Sequence, residues 1–267
     1  MRSVRLAATV AVFGALILGA NAQVTGFGGS YSLNNDGTGG AAIVNHNTLQ
    51  LTDANTYGEA NSVYYNTKQN VSAFTASFTY TLAAFNSDGS SPADGFTFVV
   101  QNDSLSALGI AGRDLGYSNT QDSSQPAVLD SVAIGFNIYK DNGIGENLLT
   151  DGTNPFHYND VAPVNLVGGD PINVLLTYSN GKLVEKLTDA NFPSLTYTNT
   201  YNGIDIPGTI GASDAWVGFT AANAAGSGTQ DITNFSFTPS VTPEPVTISM
   251  LVGGIAVAFV RRRRVAP

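Results

Sequence analysis

The chain has 267 residues, no cysteine, 12% charged residues and 29 glycines. Without cysteine there is no disulfide framework, so an exported chain of this length must be stabilised by a large hydrophobic core. Residues 23–242 carry five basic and nineteen acidic side chains, a net charge of about −14 by formal count. Such a surface repels nucleic acid and anionic membrane, and it is compatible with divalent cations and neutral glycans.

The first 22 residues have the pattern of a secretory signal peptide. Arg2 and Arg5 precede the apolar run Leu6 to Leu18, and Ala20-Asn21-Ala22 supplies a cleavage site of small residues. We therefore predict an N-terminal signal helix in residues 1–22 and export of the chain.

The middle of the chain, residues 23–240, has the pattern of many short strands. Ala73 to Leu82 alternates apolar and polar side chains regularly, and so do the residues after the turn Ala93-Asp94-Gly95. Ile172 to Ser179 and Lys182 to Thr188 flank Asn180-Gly181, the residue pair favoured in a type I′ hairpin. Ten to twelve strands and no long amphipathic helix predict an all-β sandwich as one domain. We expect these aromatic side chains to be buried: Phe74, Phe78, Tyr80, Phe96, Phe98, Phe136, Phe219, Phe235 and Phe237.

Two stretches have the composition of functional loops. Ser104 to Ala127 has little apolar periodicity and contains three glycines, which predicts a long exposed loop. Asn137 to about Asp151 is rich in Asp, Asn, Gly and Glu, and we interpret it as a candidate metal-binding loop.

Three stretches, in chain order, resemble the legume-type (L-type) lectin family. They are Ala93 to Asp103, Asp130 to Tyr139, and Ala215 to Ala222 with Ile232 to Phe237 after it. The resemblance covers Gln23 to Pro239. It implies a two-sheet jelly-roll sandwich of the concanavalin A-like lectin/glucanase type, and it implies carbohydrate binding.

The resemblance also implies a sugar site built from several loops. Asp94 is expected to accept hydrogen bonds from two sugar hydroxyls, and the peptide bond before this aspartate is cis in the family. Gly112 is expected to donate its N–H to the sugar, and the ring of Tyr139 to lie beneath it.

The other sugar contacts come from two further loops. Asp141 takes the position of the family's sugar-bonding asparagine, with Asn142 beside it. The last contacts are expected from residues 222–228, beginning with Ala222.

The family binds a transition metal beside calcium, and this chain departs from that ligand pattern. Gly135 stands at the glutamate position, Asn137 at the first aspartate and Asp151 near the histidine, so the nitrogen ligand that transition metals favour is missing. Calcium is satisfied by oxygen ligands, backbone carbonyls included. We therefore predict no transition-metal site and one weak calcium site formed by Asn137, the Tyr139 carbonyl, Asp141 and Glu146. A turn without any metal is the alternative.

A sandwich-fold glycosidase is a further alternative. Such enzymes place paired carboxylates two residues apart on one strand, about 5–5.5 Å from each other. Residues 135, 137 and 139 are Gly, Asn and Tyr, and none of the three glutamates in the middle of the chain has an acidic partner at that spacing. We therefore predict a carbohydrate-binding protein without enzymatic activity, and keep as the alternative a matrix or adhesion protein with a decayed lectin site.

Residues 241–267 have the pattern of a sorting signal. Thr242-Pro243-Glu244-Pro245 precedes the apolar run Val246 to Val260 and the basic stretch Arg261 to Arg264. A plain membrane anchor with cytoplasmic arginines is one interpretation. The three parts together resemble the bacterial PEP-CTERM sorting signal, which implies cleavage by an exosortase-type enzyme in an organism that makes extracellular polysaccharide.

The two terminal segments together predict a location. We expect a protein of the cell surface or extracellular matrix that the C-terminal apolar helix anchors transiently in the inner membrane. Its expected partners are a glycan or exopolysaccharide and the exosortase-type enzyme, and nucleic acid is not among them.

Overall fold

The computed structural model describes residues 23–85 and 91–240. The predicted signal helix in residues 1–22 and the predicted apolar helix in residues 241–267 lie outside this part of the chain. Within it, none of the helices has the length and apolar character needed to cross a membrane. The strands and the helix are β1 (Val24–Thr25), β2 (Tyr31–Asn35), β3 (Ala42–Asn45), β4 (Thr48–Thr52), β5 (Ala60–Tyr65), β6 (Gln69–Asn70), β7 (Phe74–Phe85), β8 (Gly95–Gln101), β9 (Ser131–Asn137), β10 (Gly145–Thr150), β11 (Ile172–Ser179), β12 (Lys182–Asp189), β13 (Thr196–Asn202), α1 (Ile206–Ile210), β14 (Asp214–Ala222) and β15 (Gly228–Pro239).

The strands form two antiparallel sheets. The back sheet has the order β13-β12-β11-β7-β15-β4-β3, with β1 paired to β15. The front sheet has the order β10-β9-β8-β14-β5-β2, with β6 paired to β14. The predicted all-β, two-sheet sandwich is confirmed.

The main core lies between the sheets and is dense in aromatic rings. Every aromatic side chain expected to be buried has an exposed fraction of 3% or less. The ring of Phe219 lies with its centroid 5.1 Å from that of Phe78, 5.7 Å from Phe98 and 5.1 Å from Phe235. The alternation of apolar residues along the strands therefore identified the inner faces of both sheets.

The hairpin between β11 and β12 has the predicted turn. Asn180 and Gly181 both have positive φ angles, 52° and 72°. A type I′ turn requires positive φ at both central residues, and it matches the twist of the flanking strands.

The segment 104–130 packs against the outer face of the front sheet, so the prediction that Ser104 to Ala127 form a long exposed loop is wrong for much of that stretch. Leu115, Tyr117 and Val128 are fully buried. Tyr117 and Val128 pack with the front-sheet residues Tyr64 and Ala133 in a second, smaller core on that face. Leu115 packs on the same face near Gly135. Burial of one large side chain stabilises the folded state by about 1.5–3 kcal/mol. These side chains therefore hold the segment in place although it has no regular secondary structure.

The candidate metal-binding loop is shorter than predicted. Residues 145–150 form β10, which pairs with β9 from Gly145 opposite Asn137 to Thr150 opposite Val132. The connection is therefore limited to residues 138–144, and Glu146 belongs to a strand rather than to a loop.

Candidate functional site

Asp94 immediately precedes β8 and is held by the strands on both sides. Its N–H donates to the Ala222 carbonyl at 2.9 Å, and its carbonyl accepts from the N–H of Ile138 at 2.9 Å. The Ala93–Asp94 peptide bond is cis, as the family resemblance implies. The neighbouring backbones therefore set the position of this carboxylate.

The Asp94 carboxyl group is poorly solvated. Its exposed fraction is 4%, and its Oδ2 atom has no hydrogen-bond partner among the described residues. Burial, and to a lesser extent the negative charge of Asp114, raises the pKa of Asp94 to about 7. A buried acceptor without a partner leaves room for a ligand that can donate a hydrogen bond to it.

Asp94 lies in an open cleft of about 310 Å³ at the end of the front sheet. The cleft brings together four of the six residues predicted for the sugar site. Its lining residues are Asp94, Ala111, Gly112, Arg113, Gln121, Tyr139, Asn142 and Ala224. These come from four separate segments of the chain, and a carboxylate, an aromatic ring, two amides and a guanidinium group converge on one small space.

Gly112 lines the cleft, but its expected role as a donor to the sugar needs correction. Its N–H donates to the Asn223 carbonyl at 3.1 Å, so this hydrogen is already engaged. Its φ angle is +74°, and an added Cβ atom would lie 3.4 Å from the Ala224 methyl group. Gly112 therefore joins the two loops that form this wall of the cleft and keeps the wall thin.

Two of the predicted sugar contacts do not line the cleft. The Asp141 carboxylate accepts a hydrogen bond from the Tyr139 hydroxyl at 2.8 Å, at the outer end of that ring. Ala222 is the last residue of β14 and is fully buried, and it acts on the cleft only through its carbonyl, which accepts from Asp94. The neighbouring residues Asn142 and Ala224 take their places in the lining.

Arg113, Gln121 and Ala224 line the cleft and were missed as individual positions, although Ala224 lies within the predicted stretch 222–228. The guanidinium group of Arg113 lies 4.1 Å from the centroid of the Phe156 ring, a cation–π contact. The Asn154 amide donates to the Arg113 carbonyl at 2.9 Å. One signal was available in the sequence, because Arg113 is the one arginine between residues 23 and 240 and directly follows Gly112.

The loop of Ala224 is fixed from behind by a buried pair. The Asn223 side-chain amide donates to the Glu59 carboxylate at 2.8 Å and to the Thr56 carbonyl at 2.8 Å. Both Asn223 and Glu59 are fully buried. The cleft wall at Ala224 is therefore attached to the rigid part of the sandwich.

The residues predicted to hold calcium do not form a calcium site. The amide nitrogen of Asn137 donates to the Tyr139 carbonyl at 2.8 Å and to the Gly143 carbonyl at 2.8 Å. A nitrogen that carries hydrogens thus faces the carbonyl that was expected to bind the ion. Across residues 23–85 and 91–240, no group of three or more His, Cys, Asp or Glu side chains is placed to hold a metal ion.

Glu146 lies on the opposite side of the front sheet from the cleft. It pairs with Phe136 in the β9–β10 ladder, so its side chain points, as that of Phe136 does, into the space between the sheets. There its carboxylate accepts hydrogen bonds from four side chains: Asn159 at 3.1 Å, Tyr197 at 2.8 Å, Asn199 at 2.9 Å, and Tyr201. The prediction of Glu146 as a metal ligand is therefore corrected.

The position of the family's metal-binding glutamate is enclosed by leucine side chains. A Cβ atom added to Gly135 would lie 2.7 Å from one methyl group of Leu149 and 3.4 Å from one of Leu115. An apolar contact of this kind does not fit a transition metal, which favours nitrogen and sulfur ligands.

Comparison with known proteins places these observations in a family. A profile of the legume lectin domain matches residues 23–252. Similar solved structures include peanut lectin with a 9-residue peptide, at 18% identity and a TM-score of 0.66, covering 84% of this chain and 99% of that chain. A lectin from Bauhinia forficata in complex with GalNAc aligns at 20% identity and a TM-score of 0.59, covering 81% of this chain and 97% of that chain. Arcelin-5, a lectin-like defence protein from Phaseolus vulgaris, aligns at 18% identity and a TM-score of 0.60, covering 82% of this chain and 97% of that chain.

A search of curated protein sequences gave no match. The structural similarities, all below 25% identity, establish the fold, and the profile match establishes the family. Because the profile covers most of the sequence, this chain belongs to the legume lectin domain family and is a carbohydrate-binding, lectin-like protein rather than an enzyme.

Proposed function

We propose that this chain is an exported, surface-associated lectin that binds an extracellular polysaccharide through the cleft around Asp94. The observation that carries the proposal is the buried Asp94 carboxylate, whose Oδ2 atom has no partner, at the base of an open cleft. A sugar hydroxyl is a suitable partner because it donates one hydrogen bond and belongs to an uncharged ring.

The rest of the lining fits a sugar ring. Tyr139 offers an aromatic face to the C–H groups of the ring. Asn142, Gln121 and Arg113 carry amide and guanidinium groups that can bond to further hydroxyls. A few polar groups around one apolar surface are the composition expected of a small-ligand site.

A second cavity favours a chain of sugars over a single one. It has a volume of about 570 Å³ and is lined in part by Ser104, Ser106, Pro126 and Ala127. Ala111 lines both this cavity and the cleft, so the two are neighbours on the surface at this residue. A polysaccharide whose one residue bonds to Asp94 can continue along the surface into the second cavity.

The terminal segments support the location part of the proposal. The signal pattern before residue 23 and the Pro-Glu-Pro, apolar and arginine-rich pattern after residue 241 are those of an exported chain that an exosortase-type enzyme processes. Mass spectrometry of the protein recovered from its native surface should find an N-terminus near Gln23 and no Arg261 to Arg264. An intact arginine tail would indicate a plain membrane anchor instead.

Binding is tested by applying the purified full chain to a glycan array that includes neutral oligosaccharides of increasing length. We expect signals on defined glycans that grow with chain length and disappear in an Asp94→Asn variant. Silence at the highest glycan density would favour the matrix or adhesion protein with a decayed site. Signals that persist in the Asp94→Asn variant would show that glycans do not bind through Asp94 in this cleft.

A further inference from the structure

The side chain of Asn137 occupies the point at which the loop 138–144 would need a cation. Asn137 is the last residue of β9, fully buried on the outer face of the front sheet. Its single NH₂ group donates both hydrogens, one to the Tyr139 carbonyl and one to the Gly143 carbonyl, each at 2.8 Å. The two ends of the loop are thus tied to the strand by one amide.

The carbonyl oxygens of Tyr139 and Gly143 both point at the Asn137 side chain, and two oxygens so close together need a group of positive charge between them. In this chain the partner is the partial positive charge of the amide hydrogens. A calcium ion would need oxygen atoms at about 2.3–2.6 Å from a common centre. The amide nitrogen lies between the same two carbonyls, and it leaves no room for an ion bound to both.

The nearby carboxylates are directed elsewhere. Asp141 is exposed and accepts a hydrogen bond from the hydroxyl group of Tyr139. Glu146 is on the inner face of the sheet, with four side-chain donors around it. No negative charge therefore faces the two carbonyls from within the loop.

We propose that Asn137 replaces the calcium ion of this fold as the group that positions the cleft. The amide holds the loop that presents Tyr139 and Asn142 to the cleft, so the shape of the cleft does not depend on a bound metal. Asn137 is a positioning residue, since it acts on the ligand through Tyr139 and does not line the cleft.

The first test is the thermal unfolding of the purified full chain in EDTA and in millimolar CaCl₂. We expect the same Tm in both buffers. A Tm that rises with calcium concentration and falls in EDTA would overturn the proposal, because a ligand that binds the folded state raises stability by mass action. This measurement needs no glycan, so failure of the proposed carbohydrate function would not affect its outcome.

The second test is Asn137→Asp, which replaces the NH₂ group by an oxygen atom facing the two carbonyls. In EDTA we expect a lower Tm than that of the wild type, because three oxygens then meet without a hydrogen or a cation between them. In CaCl₂ we expect part of the loss to be recovered, a rescue that a merely structural defect would not show. An Asp variant as stable as the wild type in EDTA would contradict the proposal.

Two further variants make the comparison complete. Asp141→Asn removes the exposed carboxylate of the same loop and should leave the response to calcium unchanged. Asn137→Ala loses both hydrogen bonds and should lower Tm equally in both buffers. It serves as the second variant if the Asp variant does not fold, since calcium rescue of the Ala variant would contradict the proposed role of the amide.

Discussion

The carboxyl group of Glu185 on β12 faces that of Glu146 on β10 across the space between the two sheets, close enough for the two to interact electrostatically. Both side chains are fully buried. No described residue donates a hydrogen bond to either oxygen of Glu185, whereas Glu146 has donors from Tyr197, Asn199 and other side chains. Burial without a hydrogen-bond donor, next to a second carboxyl group, therefore favours the uncharged form of Glu185.

The first prediction concerns the dependence of stability on pH through Glu185. Burial and then the charge of Glu146 raise the pKa of Glu185 well above its ordinary value of 4.5. The folded state thus keeps a proton that the unfolded state loses above about pH 4.5, so the free energy of unfolding falls as pH rises above this value.

Glu185→Gln should remove this dependence on pH, because the amide side chain does not titrate. We expect the variant to have the higher Tm at pH 8 and the advantage to shrink towards pH 4. Glu59→Gln is the comparison at a second buried glutamate. Burial raises the pKa of Glu59 too, but hydrogen bonds from Asn61 and Asn223 oppose this shift, so its gain in Tm at pH 8 should be smaller. Parallel profiles of Tm against pH for wild type and Glu185→Gln would show that Glu185 is ionised in the folded protein.

The second prediction is that the affinity for glycan depends on the ionisation of Asp94. Its pKa of about 7 means that the carboxylate, the stronger acceptor, is gained as pH rises through 7. Affinity should therefore increase between pH 6 and pH 8 in a titration by calorimetry. Asp94→Asn should weaken binding by about 1.5–3 kcal/mol, the value of a charge-assisted hydrogen bond, and abolish the pH dependence.

The stability of the Asp94→Asn variant provides the control. The raised pKa of Asp94 means that its contribution to stability is present below about pH 4 and lost as pH rises through 7. The variant should thus be at least as stable as the wild type at pH 8. A marked fall in its Tm at that pH would identify Asp94 as a structural residue.

The third prediction concerns the aromatic core. Phe98 is 3% exposed, and its ring lies 6.0 Å from that of Phe78 and 5.7 Å from that of Phe219. Phe98→Ala should lower the free energy of unfolding by about 3–5 kcal/mol, the usual effect of a phenylalanine-sized cavity. Urea denaturation measures this loss, and glycan affinity of the folded fraction should stay unchanged. A loss below about 1 kcal/mol would mean that the sheets close around the cavity.

The fourth prediction separates a polysaccharide from a single sugar. Ser106 is exposed and lines the second cavity but not the cleft. Ser106→Trp should weaken the binding of long oligosaccharides and leave the affinity for a monosaccharide unchanged. Ser124→Trp, at an exposed position of the same segment that lines neither cavity, is the matched control. Unchanged affinity for both short and long glycans would place the whole ligand in the cleft.

The strands and the aromatic core could be predicted because a strand with one buried face repeats every two residues. Phe74, Phe78 and Tyr80 show this period directly. The packing of segment 104–130 could not be predicted in the same way. Leu115, Tyr117 and Val128 are buried by the path of an irregular loop, and no period marks them.

The site was predicted best where a residue is attached to a strand. Asp94 adjoins β8, and its place in the cleft follows from the sheet. The role of Glu146 could not be predicted, because its partners Tyr197, Asn199 and Tyr201 come from β13, about fifty residues later. The orientation of the Asn137 amide also depends on a three-dimensional arrangement, the meeting of two loop carbonyls.

Asp94 is held by main-chain hydrogen bonds to two neighbouring segments, whereas its neighbours in the cleft come from loops. The anchoring atoms belong to the backbone and are the same for any side chain at Ala222 and Ile138. Residues such as Gln121 and Ala224 can therefore be exchanged while the acceptor stays in place. If the cleft binds glycans as proposed, this separation makes it evolvable, because mutation of its rim would change which glycan is preferred and leave the contact with Asp94 in place.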